Sequence, residues 1–157
     1  MNPSKQRGLA AVETAIVAAL ALLVIFAVLE VGRVFFVINA LEEATRRGAR
    51  VAAVCQVNDP AISRITIFND SGDGGPSSLI YDLTTAHVDV DYLADGGAVV
   101  GDPVGSYFDI SYVRVSISNY QHQLLIPLFV RTVTLPSFAT TLPRESLGVS
   151  KDGITTC

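Results

Sequence analysis

The chain has 157 residues, a formal net charge of −4 and a pI near 5.0. That length bounds one domain with at most a short appendage, and the acidic balance excludes a nucleic-acid surface, which needs clustered Lys and Arg. Half of the residues are hydrophobic and the mean hydropathy is +0.44, an excess concentrated near the N-terminus.

Residues 9–29 read LAAVETAIVAALALLVIFAVL, a run of 21 residues broken only by Glu13 and Thr14. As a helix rising about 1.5 Å per residue, this run crosses a hydrocarbon core of about 30 Å. Lys5 and Arg7 precede it, so the N-terminus is expected on the cytoplasmic side and the remainder across the membrane. A cleaved secretory signal fits poorly, because Val28-Leu29-Glu30-Val31-Gly32-Arg33 offers no small-residue site after the apolar core. A plain anchor leaves Glu13 unexplained: a carboxylate in an apolar helix costs about 2.5–3.5 kcal/mol at the bilayer centre and much less near the interface. Ala11, Ala15 and Ala19 repeat at four-residue spacing, a face that lets helix backbones approach in lipid. Ordinary alanine richness gives the same pattern.

Beyond Leu29 the periodicity changes. Val34, Ile38, Leu41, Thr45, Gly48, Ala52 and Cys55 form one mostly apolar face, with Glu42, Glu43, Arg46, Arg47 and Arg50 opposite. Glu42–Arg46 and Glu43–Arg47 are ordered as i,i+4 pairs of about 0.2–0.5 kcal/mol each. The helix is therefore predicted from about Leu9 to about Val54, with Asn58-Asp59-Pro60 as its stop.

Gly8-Leu9-Ala10-Ala11-Val12-Glu13 resembles the prepilin processing motif of type IV pilins. The resemblance implies cleavage after Gly8 by a prepilin peptidase, Leu9 as the new N-terminus, and Glu13 as the residue that neutralises a neighbouring subunit's terminal amine during assembly. The stretch from Gly8 to Arg50 further resembles the TadE-like family of tight-adherence (Flp, type IVc) pilus systems. That likeness rests on the A-V-E that ends at Glu13, on E-V-G-R at Glu30, Val31, Gly32 and Arg33, and on A-x-R-x-G-A-R, with Arg46, Gly48 and Arg50. It covers roughly a quarter of the chain.

After Pro60 the pattern turns to strands. Ile62–Phe68 is β-branched and reads as a strand; Asn69–Ser78 and Asp95–Gly105 read as loops. Thr85–Leu93 alternates, with Val88, Val90 and Tyr92 on one face and His87, Asp89 and Asp91 on the solvent face. Tyr107–Asn119 opposes Val113, Val115 and Ile117 to Arg114, Ser116 and Ser118, and Leu128–Leu135 is a further strand. Pro127, Pro136 and Pro143 suggest strand edges. Arg144-Glu145 resembles the basic-acidic pair that closes many pilin chains.

Cys55 and Cys157 are the only cysteines. In an extracytoplasmic protein an even pair favours a disulfide, whereas the place of Cys55 on an apolar face also suits a buried thiol. His87 and His122 stand apart, with no Cys or His at metal-ligand spacing. Asn69-Asp70-Ser71-Gly72-Asp73-Gly74 resembles the opening of a calcium loop, but Ile80 stands where a bidentate Glu is required. No catalytic residue, metal or cofactor is assigned, and no nucleophile motif frames an enzyme.

The sequence predicts an α+β protein: a long N-terminal helix, half in membrane and half amphipathic, packed on an antiparallel sheet of three or four strands. Its expected parts are a leader at 1–8, a TadE-like helix at 9–56 with its transmembrane segment at 9–29, and an extracytoplasmic β-rich domain at 57–157. The resemblance implies a minor pilin or pseudopilin of the inner membrane, with other pilin subunits, the prepilin peptidase, the assembly platform and membrane lipid as partners. The alternative is a single-pass anchored periplasmic binding module outside any filament.

Overall fold

The computed structural model describes residues 3–69, 74–126, 129–151, 153–154 and 156–157. The first helix, α1 (Pro3–Val54), runs for 52 residues. Its N-terminal part is apolar on every side and exposes Leu9, Ile16, Leu20, Val24 and Leu29, whereas Val37, Leu41, Ala44, Thr45, Ala49 and Ala52 are buried. The change from a full apolar circumference to a single buried stripe is the change of period read in the sequence.

The chain divides into two compact units. One comprises Met1–Phe36 and His122–Val133; the other comprises Val37–Gln121 and Thr134–Cys157. In the second unit, β1 (Val88–Leu93), β2 (Tyr112–Ile117) and β5 (Phe138–Pro143) form a sheet in the order β1-β2-β5. Both pairings are antiparallel, with Val90 opposite Val115 and Val115 opposite Thr140. The central strand buries Val113, Val115 and Ile117, the face expected from its alternation. Pro143 ends β5 on the sheet's edge, where a missing N–H costs no ladder bond. Two short pairs complete the fold: β3 (Gln121–Ile126) with β4 (Phe129–Thr134), and β6 (Val149–Ser150) with β7 (Gly153–Ile154).

The distal half of α1 lies on this sheet through two apolar clusters. Val37, Leu41 and Ala44 pack with Ile80, Leu83, Ile117 and Leu135. Further along, Ala49, Ala52 and Cys55 pack with Ile62, Tyr92, Val113 and Val115. Tyr92 is buried, and its hydroxyl accepts a 2.9 Å hydrogen bond from the Asn58 amide; burial holds its pKa above the ordinary 10.0.

Ile62–Phe68 is not a strand. Pro60–Thr66 forms a short helix, α2, capped by the Asp59 side chain, which accepts from the Ala61 amide at 2.8 Å. Asn58 turns the chain at a φ of 61°. Asn58-Asp59-Pro60 therefore both stops α1 and starts α2, and a good N-cap with Pro at N1 outweighs the β-branched residues that follow. Other local expectations are also corrected. Arg46 pairs with Glu43 at i,i+3 (3.1 Å) and not with Glu42. Asp91 is not merely solvated, because Arg114 on the facing strand donates to it at 2.7 and 3.1 Å. His87 ends a 3₁₀ turn, half-buried, and its Nδ1 accepts from the Thr84 amide at 3.1 Å.

A distant segment caps the end of α1. The amides of Glu145 and Leu147 donate to the Ala53 carbonyl, and that of Gly148 donates to Val54 at 2.7 Å. These bonds satisfy carbonyls that a helix end leaves without intrahelical partners. Arg144 donates to the Tyr107 carbonyl at 2.8 Å and lies over the Tyr107 ring. The same corner carries a disulfide between Cys55 and Cys157, with Cα atoms 5.7 Å apart and a sequence separation of 102.

Gly48 sits where α1 passes tightly against α2 and the sheet. A Cβ there would collide with the Thr66 hydroxyl and meet Val115 Cγ1 at 3.0 Å, whereas one at Gly32 would meet nothing within 4 Å. Gly48→Val is expected to destabilise the distal unit by about 1–3 kcal/mol through overpacking, with Gly32→Ala causing no loss and a gain of up to about 1 kcal/mol from helix propensity. Urea unfolding of detergent-solubilised protein measures both, and equal midpoints for the two variants would contradict the packing account. Reduction of the disulfide is expected to remove up to about 4–5 kcal/mol, the chain-entropy value for a loop of this length. Thermal unfolding with and without dithiothreitol checks this.

Candidate functional site

The residues singled out in the sequence occupy three places along α1. Gly8, Leu9 and Glu13 lie on its first turns; Leu9 is exposed, and a Cβ on Gly8 would meet nothing within 4 Å. Glu13 is also exposed. Ala11, Ala15 and Ala19 follow one exposed line, and at 3.6 residues per turn Glu13 stands about half a turn away from Ala11. The alanine stripe and the carboxylate therefore lie on opposite sides of the helix.

The second place is the end of the apolar run. Glu30 is 5% exposed although it directly follows 21 residues suited to hydrocarbon. Arg33, one turn on, donates from Nη1 to both carboxylate oxygens at 2.9 and 2.7 Å. His122 on β3, itself 2% exposed, sets its Nε2 3.3 Å from Glu30 Oε1. A buried carboxylate is tolerated where cations and hydrogen-bond donors surround it, and here the cation comes from the next turn and the imidazole from a strand 92 residues away. The His122–Glu30 contact fastens β3 to the helix within the first unit.

Sequence reasoning named Glu30 and Arg33 as motif residues and left His122 unassigned. The i,i+3 spacing of Glu30 and Arg33 signals their pairing. Nothing in Gln121-His122-Gln123 signals the third partner.

The third place is the amphipathic half. Gly48 is buried against Thr66 and Val115, while Arg46 and Arg50 are exposed on the opposite side. Cys55 is buried directly beyond the helix, and the Cys157 amide donates to Asp59 Oδ2 at 2.9 Å. Among the described residues no group of three or more His, Cys, Asp or Glu is placed to hold a metal ion. The calcium-like loop lies largely outside the described residues, which omit 70–73.

The long exposed apolar surface from Leu9 onward belongs to a helix long and apolar enough to cross a membrane. That surface, with Gly8 and Glu13 at its start and Glu30-Val31-Gly32-Arg33 at its end, falls inside a recognised family pattern. Residues 8–50 match the TadE-like protein family. No curated protein and no solved structure matches the chain. The TadE-like match covers the apolar run, the Glu30–Arg33 pair and Gly48, and it ends before the disulfide and every strand. His122 thus lies outside the family pattern while completing the environment of a residue inside it.

His122→Ala removes one hydrogen-bond partner of a buried carboxylate, an expected cost of about 1–3 kcal/mol. Because the contact fastens β3, amide exchange should accelerate in β3 and β4 while β1, β2 and β5 keep their protection. Unchanged exchange in the hairpin would show that the contact contributes nothing to holding it.

Proposed function

We propose that this chain is a minor pilin or pseudopilin of a tight-adherence (type IVc) pilus, with a structural role in initiation, assembly or adhesion. The observation that carries the reading is the TadE-like match over residues 8–50, a stretch whose sequence has a glycine and a glutamate five residues apart before an exposed apolar helical surface. In this reading a prepilin peptidase cuts after Gly8 and frees the amine of Leu9. Glu13 then pairs with the amine of an adjacent subunit, since two opposite charges are carried into an apolar bundle far more easily together than singly. The half-turn between Glu13 and the Ala11-Ala15-Ala19 line lets one helix engage two neighbours at once.

Other features fit this placement. Lys5 and Arg7 ahead of the apolar run favour a cytoplasmic N-terminus. The Cys55–Cys157 disulfide suits an oxidising compartment for the distal part. A Cβ on the motif residue Gly32 would meet nothing within 4 Å among the described residues, which leaves room for a contact with another subunit. The partners are then other pilin subunits, the peptidase, the inner-membrane assembly platform and lipid, and the subunit performs no catalysis.

The test is the intact mass of the membrane-extracted protein from cells with and without the prepilin peptidase. The expected result is loss of residues 1–8 only where the peptidase is present, with Glu13→Ala still cleaved but absent from sheared pili. An uncut N-terminus in both strains would overturn the pilin reading in favour of an anchored periplasmic binding module.

A further inference from the structure

We infer that a pocket beyond the end of β1 receives the guanidinium of Arg50 from a second copy of this chain. The inference rests on the pilin reading and names a surface through which two subunits meet.

The pocket has a volume of about 550 Å³, and its lining includes Asp95, Val99, Ser106, Phe108, Asp109 and Ser111. Backbone bonds fix its walls. The Ala94 amide donates to the Ala98 carbonyl at 2.8 Å and the Val100 amide to the Tyr92 carbonyl at 2.8 Å, which folds the turn after β1 back beside the strand. Gly96 and Gly97, at φ values of 99° and 86°, permit that turn. In the other lining segment, the Asp109 amide donates to the Ser106 carbonyl at 3.0 Å in the 3₁₀ turn Tyr107–Asp109. The Ser111 amide then donates to the Leu93 carbonyl at 2.7 Å and ties this segment to β1.

The lining selects a planar cation. Asp95 and Asp109 are exposed, and neither carboxylate has an ion-pair or hydrogen-bond partner among the described residues. Phe108 is 88% exposed, yet its ring is braced edge-on against Tyr107, with centroids 5.7 Å apart and planes at 87°. Tyr107 is held in turn by its hydroxyl, which donates to the Ser146 carbonyl at 2.6 Å. An aromatic face beside free carboxylates attracts a cation. A guanidinium both stacks on a ring and forks two donors to a carboxylate.

The same distal unit supplies such a group. Arg50 is exposed on α1, and its side chain has no ion-pair or hydrogen-bond partner among the described residues. Arg46 pairs with Glu43, and Arg47 lies over the Phe68 ring. A helix presents Arg50 at a fixed height and direction, whereas Lys151 stands on the turn between β6 and β7. Arg50 also lies inside the TadE-like match. The pocket and Arg50 belong to different elements, so joining one to the other in a second copy makes a heterologous contact. Such a contact repeats from copy to copy, as a filament requires.

The test combines a photo-reactive probe with charge reversal in cells that carry the prepilin peptidase. Full-length protein with Phe108→p-benzoylphenylalanine is irradiated, and its adducts are mapped by mass spectrometry. The expected adduct joins position 108 of one copy to the α1 segment around Arg50 of another, and two differently tagged copies establish that it is intermolecular. Arg50→Asp alone, or Asp95→Arg with Asp109→Arg, is expected to lower its yield at least about tenfold, as loss of a close charge pair across an interface does. All three changes in one chain restore it. Adducts that map elsewhere on the second copy, or to another protein, would overturn the inference. So would a yield that neither reversal moves, or one that the combined variant fails to recover. Intact mass of the same sample separates the two readings. Loss of residues 1–8 with no adduct overturns this contact alone, whereas an uncut chain with no adduct overturns the pilin reading as well.

Discussion

A single continuous helix must satisfy two environments, and the rest of the chain is arranged around that demand. The first part of α1 has apolar side chains on its whole circumference, and the described residues leave most of them exposed. The second part has one apolar stripe, which packs against the β1-β2-β5 sheet, α2 and the residues Ile80, Leu83 and Leu135. The hydrogen-bond ladder of the helix runs unbroken through the change. Only the side chains register it.

Glu30 stands at the boundary and shows how it is held. A carboxylate at that position faces apolar neighbours on the turns below, yet it is buried and not turned outward. Arg33 supplies charge from the same helix, and His122 supplies a polar ring from β3. The apolar run thus ends in a polar cluster that also recruits a strand.

The sequence carried the regular parts well. The shift of period near Leu29, the end of α1 near Val54 and the buried alternation of Val113, Val115 and Ile117 were all legible, because each is written in local spacing. The turn at Asn58-Asp59-Pro60 was half legible: its power to stop a helix was plain, but its power to start one was hidden by the β-branched residues of Ile62–Phe68. The strand β3 was not legible, since Gln121-His122-Gln123 followed by apolar residues fits neither a two-faced strand nor a buried one. Its place depends on a contact across 92 residues that no local pattern encodes. The same holds for the capping of Ala53 and Val54 by the segment around Leu147, where the partners are main-chain groups.

The disulfide has a mechanical meaning. Cys55 follows the last turn of α1, and Cys157 returns the far end of the chain to the same point. The intervening residues form a covalent ring whose one covalent junction with the helix is at Cys55. A tensile load travelling along α1 therefore has no route that passes through this ring from one side to the other. The sheet belongs to this ring and joins the helix by side-chain packing, not by a second covalent link. Its strands can be displaced or reshaped on their outer side without lengthening the load path, and a pull on the ring divides between two arms that meet at Cys55.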